Sequence, residues 1–397
     1  MQHPNLIRFL LLILIVTLEP ELVANELIVD PKTELSGLDA LAYFNSTEEF
    51  VDKPKKEMPV KLQLSGHCEG TPIHTCIEYI EQNRQQILVA LPNNQEYWRA
   101  FHELINGAAL ELDLTSAYSD AKKDRSKLIS AAYGWVYRTI AEDKIHSTTH
   151  QFVRYYKNIR RHMAESSVLA DRMIFTALVG IAHWQFEILM TLHAADGDSV
   201  SIRILADALT PFSERERSLR HALQGEGRFV QAMISKLEVN DILEILGNYQ
   251  TPVNTSEGSL KWARKMAQVE LDRITDYFGE VTERSWPSYW GQGFSHPEKE
   301  GLNGKNVITT DIAFYESYAR TARSSEVLIY LLLALSDIHL GLASPGVPAR
   351  QAPPFWNWSW VGDTQSLCLL PTHVAPNSSD FSIDQPPCVT HVSKYTE

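Results

Sequence analysis

No P-loop, GxGxxG, GxSxG or HExxH motif occurs in this chain of 397 residues. The phosphate cradle, the dinucleotide turn, the nucleophile elbow and the one-helix zinc protease site therefore lack their usual signals, and no cofactor is expected. Basic side chains are in short supply, 36 against 49 acidic ones, for a net charge of −13. That balance argues against a nucleic-acid partner and against a dedicated lipid-binding patch, since both need basic surface. Long apolar runs are missing too. Leu6 to Leu18 and Val327 to Leu335 are the two strongly apolar stretches, and a spanning helix needs about 20 such residues.

What is present begins at the N-terminus. Leu6 to Leu18 reads LIRFLLLILIVTL, with Arg8 as its one charge. It fits the apolar centre of a signal peptide, with His3 and Arg8 on the N-terminal side and Leu22-Val23-Ala24 as a cleavage region. Residues 1–24 are read as a signal peptide or membrane tether. The chain is accordingly read as exported, either periplasmic or held at the membrane by this segment. Glu19 and Glu21 make the region unusual, and cleavage near Asn25 is the preferred reading.

An exported chain meets an oxidising compartment, where cysteines form disulfides. Cys68 and Cys76 flank a turn carrying Gly70 and Pro72, and Cys368 and Cys388 lie in a tail poor in regular structure. Four cysteines allow three pairings, and the local bridges Cys68–Cys76 and Cys368–Cys388 are expected. His67, Cys68, His74 and Cys76 offer four metal ligands as well. Adjacent His67 and Cys68 cannot easily chelate one ion, so no metal is assigned there.

From Pro72 to Leu342 the apolar periodicity is helical. Tyr97, Phe101, Leu104, Ile105, Ala108 and Leu112 form one stripe; Leu128, Ile129, Ala132, Trp135, Val136 and Ile140 form another. Phe152, Val153, Tyr156, Ile159 and Met163 continue the series. Between Val168 and His193 apolar residues nearly encircle the helix, which marks it as the most buried element. Leu219 to Leu237 make the next stripe, opened by Ser213 with Glu216 three residues on, a capping-box spacing. Val327 to Leu335 reads as a core helix. The fold class is all-α: stacked antiparallel helical hairpins, tetratricopeptide-like in part but irregular, with an irregular disulfide-closed tail. The organisation that follows has an extended linker at 25–67 and an all-helical domain at 68–344, with an irregular Pro/Trp-rich tail at 345–397. That tail holds eight of the 19 prolines and three of the nine tryptophans, Trp356, Trp358 and Trp360.

Candidates for chemistry are few. His183 and Glu187 share a helix face, with His193 about two turns beyond. The pattern could begin a metal site, but the ExxH pair of di-iron bundles is missing, and a buried histidine bonded to a carboxylate is the commoner arrangement. His146 and His150 read as surface residues. Arg154, Lys157, Arg160, Arg161 and His162 read as a solvated helix face. Gly225-Glu226-Gly227-Arg228 places two glycines in a helix at about 1 kcal/mol each, which points to close packing.

Cys68 and Cys76-Ile77-Glu78-Tyr79, then Tyr97-Trp98-Arg99-Ala100-Phe101, Leu178-Val179-Gly180-Ile181-Ala182 and Arg217-Ser218-Leu219-Arg220-His221-Ala222-Leu223-Gln224-Gly225-Glu226 together resemble a group of uncharacterised bacterial envelope proteins. The resemblance covers roughly residues 60–345. It implies an all-helical body behind a short hydrophobic N-terminus, and it supplies no catalytic residue. Such proteins end in a segment like DPFSGKPL, of which Ser379-Asp380-Phe381-Ser382-Ile383 keeps a trace.

The leading functional expectation is a non-enzymatic, exported or tethered helical protein that binds another envelope protein or a peptide. Residues 283–306 form an aromatic, Gly-rich loop whose Trp286, Tyr289, Trp290 and Phe294 are candidate partner-binding anchors; packing against the helical body is their competing role. The alternative is an enzyme with a polar site between helices, using His183, Glu187, Glu226 and Arg228.

Overall fold

The computed structural model describes residues 73–90, 95–106, 118–167, 169–225, 309–354, 356–371 and 387–390, together with positions 228, 265, 272, 275, 276, 279, 280, 282 and 283. Residues 1–67, read above as signal segment or tether and linker, together with Cys68, Glu226 and residues 284–306 of the aromatic loop, lie outside these residues. The described part is mostly helical: α1 (Ile73–Gln82), α2 (Arg84–Ala90), α3 (Gln95–Asn106), α4 (Tyr118–Ala141), α5 (Ile145–Glu165), α6 (Leu169–Ala195), α7 (Ser199–Ala208), the single turn α8 (Glu214–Arg217) and α9 (Thr309–His339).

Helix α6 is the axis of the body, as its near-continuous apolar surface requires. It packs along α5 on one side and α9 on another, with α4 and α7 alongside. Leu178, Val179, Ala182, Phe186, Ile188 and Met190 are all closed off from solvent. The stretch Asp171–Ala195 is long and apolar enough to cross a membrane, yet 72% of its most apolar window is buried inside the protein, as in a core helix. Val327, Ile329, Leu331, Leu332, Ala334 and Leu335 of α9 are buried against it, as their apolar run requires. The α5 stripe faces inward through Phe152, Tyr156, Ile159 and Met163.

Two local expectations are refined. Ser213 accepts from the Glu216 N–H while the Glu216 side chain accepts from Ser213, so the capping box forms. The helix it opens, however, ends at Arg217, and Ser218 and Leu219 interrupt the chain before helical residues 220–225. Arg160 is not solvated. It forks onto Glu216 (Nε to Oε1 2.5 Å, Nη2 to Oε2 2.9 Å), donates to the Thr210 and Pro211 carbonyls, and lies over the Tyr156 and Phe212 rings. His162 is buried too, with Nε2 2.8 Å from the Ile105 carbonyl, whereas Arg154, Lys157 and Arg161 are exposed. Helix position i+3 or i+4 gave a common stripe, and packing split it. Gly225 does mark a close approach: a Cβ there would stand 1.6 Å from the Ser167 carbonyl oxygen.

The tail departs from the irregular structure expected of it. β1 (Trp356–Val361), β2 (Ser366–Pro371) and β3 (Cys388–Thr390) form an antiparallel sheet in the order β1-β2-β3. The reason lies in the alternation Trp356-Asn357-Trp358-Ser359-Trp360, a two-residue period that sends the indoles to one face. Trp356, Leu367, Leu369 and Val389 join the helical core, with Trp358 and Trp360 packed against it. Cys368 and Cys388 stand opposite each other on β2 and β3 and are disulfide-bonded. Cys76 is also disulfide-bonded and fully buried. Arg350 forks onto Asp337 of α9, and the Trp358 indole N–H donates to the Arg350 carbonyl, so the sheet is tied to the end of α9.

Candidate metal centre

Two helix-to-helix turns lie side by side at one end of α5 and α6. The first joins α4 to α5. Lys144 N–H bonds the Thr139 carbonyl and Asp143 N–H bonds that of Ile140, the double closure of a Schellman motif. Asp143 holds the left-handed position with φ 57°. The second joins α6 to α7 in the same way: Asp198 N–H to the His193 carbonyl, Gly197 N–H to that of Ala194, and Gly197 at φ 70°. The sequence His193-Ala-Ala-Asp-Gly-Asp198 thus stops one helix and starts the next, because Asp198 Oδ1 accepts from the Ser201 N–H as N-cap of α7.

These turns bring His146, at the start of α5, against His193 and Asp198. The rings of His146 and His193 meet edge to face, centroids 5.0 Å apart. Asp198 Oδ2 is 3.0 Å from His146 Nδ1 and 3.3 Å from His193 Nδ1. One ligand atom from each of the three residues lies within 4.8 Å of the others. In a tetrahedral shell with bonds of about 2.0–2.2 Å, ligand atoms stand roughly 3.3–3.5 Å apart. Asp198 Oδ2 stands at about that separation from each imidazole nitrogen, 3.0 and 3.3 Å.

Electrostatics prepare the same three groups. Hydrogen bonds from Ser201 hold the Asp198 carboxyl far below the usual carboxylate range, so it is ionised. Burial lowers the His193 pKa against the opposing pull of Asp198. The Thr149 hydroxyl lies 3.1 Å from the Ile145 carbonyl and 2.8 Å from His193 Nε2. With the hydroxyl proton on the carbonyl, Nε2–H donates to Thr149 Oγ1 and Nδ1 presents a lone pair to Asp198; with it on Nε2, Nδ1–H faces Asp198 Oδ2 at 3.3 Å. Nδ1 itself is fully buried. His146 has a partner on its other side too, where Nε2 is 3.2 Å from Asp196 Oδ2. Each imidazole has a second partner that orients it, as metal-bound histidines do. His193 forms the buried floor at 0% side-chain exposure, while His146 at 58% leaves the remaining coordination positions open to solvent.

The residues singled out from spacing have other employment. His183 is buried, with Nε2 2.8 Å from the Tyr156 hydroxyl, and burial reinforced by Arg160 pushes its pKa down to about 3. Glu187 accepts the Thr390 N–H at 2.7 Å, and burial raises its carboxyl to about 8. Arg228 is exposed. These three do not share a partner; Glu226, Trp286, Tyr289, Trp290 and Phe294 lie outside the described residues. Spacing alone keeps His146 at the surface, which holds, and assigns no metal. It misses the centre because His146 and His193 belong to different turns. The legible part of the signal was the Asp-Gly-Asp turn immediately after His193.

Comparison with known protein families, curated proteins and solved structures found no match to this chain.

Proposed function

We propose that this protein is an exported or membrane-tethered helical protein that binds one divalent transition-metal ion through His146 Nδ1, His193 Nδ1 and Asp198 Oδ2. Two imidazoles and one carboxylate with open positions suit zinc or a neighbouring first-row ion, and suit calcium or magnesium poorly. The observation that carries the reading is the convergence of two imidazoles on one carboxylate oxygen. His146 Nδ1 and His193 Nδ1 lie 3.0 and 3.3 Å from the ionised Asp198 Oδ2, and a cation bound by all three satisfies them together. The Cys368–Cys388 bridge supports the export side of the reading, since such bonds persist in oxidising compartments. In the finer fold reading, α5 with α6 and α6 with α7 are units of stacked antiparallel hairpins, which the short turns between them favour.

The test is titration of the chelator-treated protein with Zn²⁺ by calorimetry, and with Co²⁺ by visible absorption. About one equivalent should bind, and the cobalt form should show the intense bands of low coordination number. His146→Ala removes an exposed side chain and should weaken binding about 10–100-fold, the range for loss of a key group around an ion. Asp198→Asn preserves the N-cap and should do the same. Equal affinity in wild type and both variants would sink the proposal.

A further inference from the structure

We infer that Asn357 is an acceptor for an N-linked oligosaccharide. The residues Asn357-Trp358-Ser359 have the Asn-x-Ser spacing with a middle residue other than proline. Such a triplet is only a pattern until the fold puts its first residue in solvent, and here the strand does so. The two-residue period of β1 sends Trp356, Trp358 and Trp360 into the core packing, and Asn357 and Ser359 to the opposite face. Asn357 is exposed. It pairs across the sheet with Leu370, and Ser359 pairs with Cys368. The amide and the hydroxyl that define the acceptor therefore share the face of the sheet opposite the indoles, Asn357 exposed and Ser359 half-buried.

Three further observations favour a sugar there. Among the described residues β1 is an edge strand in the order β1-β2-β3, and an exposed edge invites pairing with another chain unless something blocks it. The outward face carries Val361 and Leu370, which are 40% and 38% exposed, and a bulky polar substituent would shield both. The same sheet holds the Cys368–Cys388 disulfide, which persists in oxidising compartments, the secretory lumen among them. Three other triplets, Asn45-Ser-Thr, Asn254-Thr-Ser and Asn377-Ser-Ser, occur in the sequence outside the described residues.

The co-reactant is an oligosaccharide carried on a polyisoprenyl diphosphate. The Asn357 amide nitrogen forms a bond to C1 of the first sugar, and the C1–O bond to the diphosphate breaks. The diphosphate leaves with the electron pair, and the amide gives one proton to the transferase base. Nothing is oxidised or reduced.

The inference rests on export, here through a secretory pathway that transfers oligosaccharides rather than into a periplasm, and is independent of the metal centre. The full chain, with its own N-terminal segment, is expressed in a secretory host that glycosylates, and the peptide containing Asn357 is mapped by mass spectrometry. Treatment with an amide-cleaving glycosidase in heavy-oxygen water should convert Asn357 to a labelled aspartate. Asn357→Gln and Ser359→Ala should each abolish the modification, and Ser359→Thr should keep it. Secreted chains with no glycopeptide at this position would overturn the inference and leave export standing. Chains retained in the cytosol and unmodified would overturn both.

Discussion

Glu187 gives the sharpest prediction. Its carboxyl is buried in α6, accepts one backbone N–H from Thr390 of β3, and has a pKa raised by burial from 4.5 to about 8. The folded protein therefore holds a proton that the unfolded chain releases between those values. Its contribution to stability is complete below about pH 4.5 and falls as pH rises, by about 1.36 kcal/mol per pH unit, until about pH 8. The whole span is worth roughly 3–5 kcal/mol by the same conversion. Glu187→Gln keeps a carbonyl for the Thr390 N–H and cannot ionise. Near pH 5 the variant should match wild type to within about 1 kcal/mol, the net worth of one hydrogen bond. Near pH 8.5 it should be the more stable protein by most of that span. Urea unfolding at four pH values, with chelator present to remove any ion-dependent stability, measures the difference directly. Histidines that also titrate cancel between the two proteins. A wild-type-minus-variant difference that stays flat from pH 5 to 8.5 would refute the burial argument, as would a variant weaker at every pH by the same amount.

Two further outcomes follow from packing. Gly225→Ala puts a methyl group 1.6 Å from the Ser167 carbonyl oxygen, so it should cost about 1–3 kcal/mol of overpacking strain despite the better helix propensity of alanine; stability at or above wild type by urea unfolding would show that the backbones are not held that close. Replacing both Cys368 and Cys388 with alanine opens a loop with sequence separation 20 and should cost about 2–4 kcal/mol, with β3 losing hydrogen-exchange protection first; unchanged protection at Thr390 would show that the Glu187 contact alone holds the strand.

How much of this was readable before the fold follows from which patterns are one-dimensional. Apolar periodicity identified α6 as the central helix because encirclement by Leu178, Val179, Phe186 and Ile188 is hidden from water on every side only at the centre of a packed helical body. Val327 to Leu335 was readable for the same reason. The tail was not, although Trp356-Asn-Trp-Ser-Trp360 alternates cleanly. Its prolines argue for irregular chain, yet Pro353 and Pro354 stop just short of β1, and the pairing of β1 with β2 leaves them outside the ladder. Arg160 was misplaced because helical phase gives a direction and says nothing of what packs there. The chain between α7 and α8 supplies Thr210 and Pro211, and α8 supplies Glu216; they lie 50, 51 and 56 residues away.

The candidate site was hidden by the same limit, and the two buried histidines of α6 show what separates a site from a core residue. His183 and His193 each have one nitrogen bonded to a hydroxyl; the other is without a partner in His183 and lies 3.3 Å from Asp198 Oδ2 in His193. By sequence they are equivalent, and by burial nearly so, at 1% and 0% exposure. An unpartnered buried polar atom costs about 1–3 kcal/mol in either place. For His183 that is the whole account, because nearby Arg160 is a cation already committed to Glu216 and would repel a second one. For His193 the second nitrogen faces an ionised carboxylate whose other oxygen is fixed by the cap of α7, and His146 closes the third side. In the tautomer that leaves Nδ1 as a lone pair, a cation satisfies nitrogen and carboxylate together, and the exposed side of His146 gives it a way in.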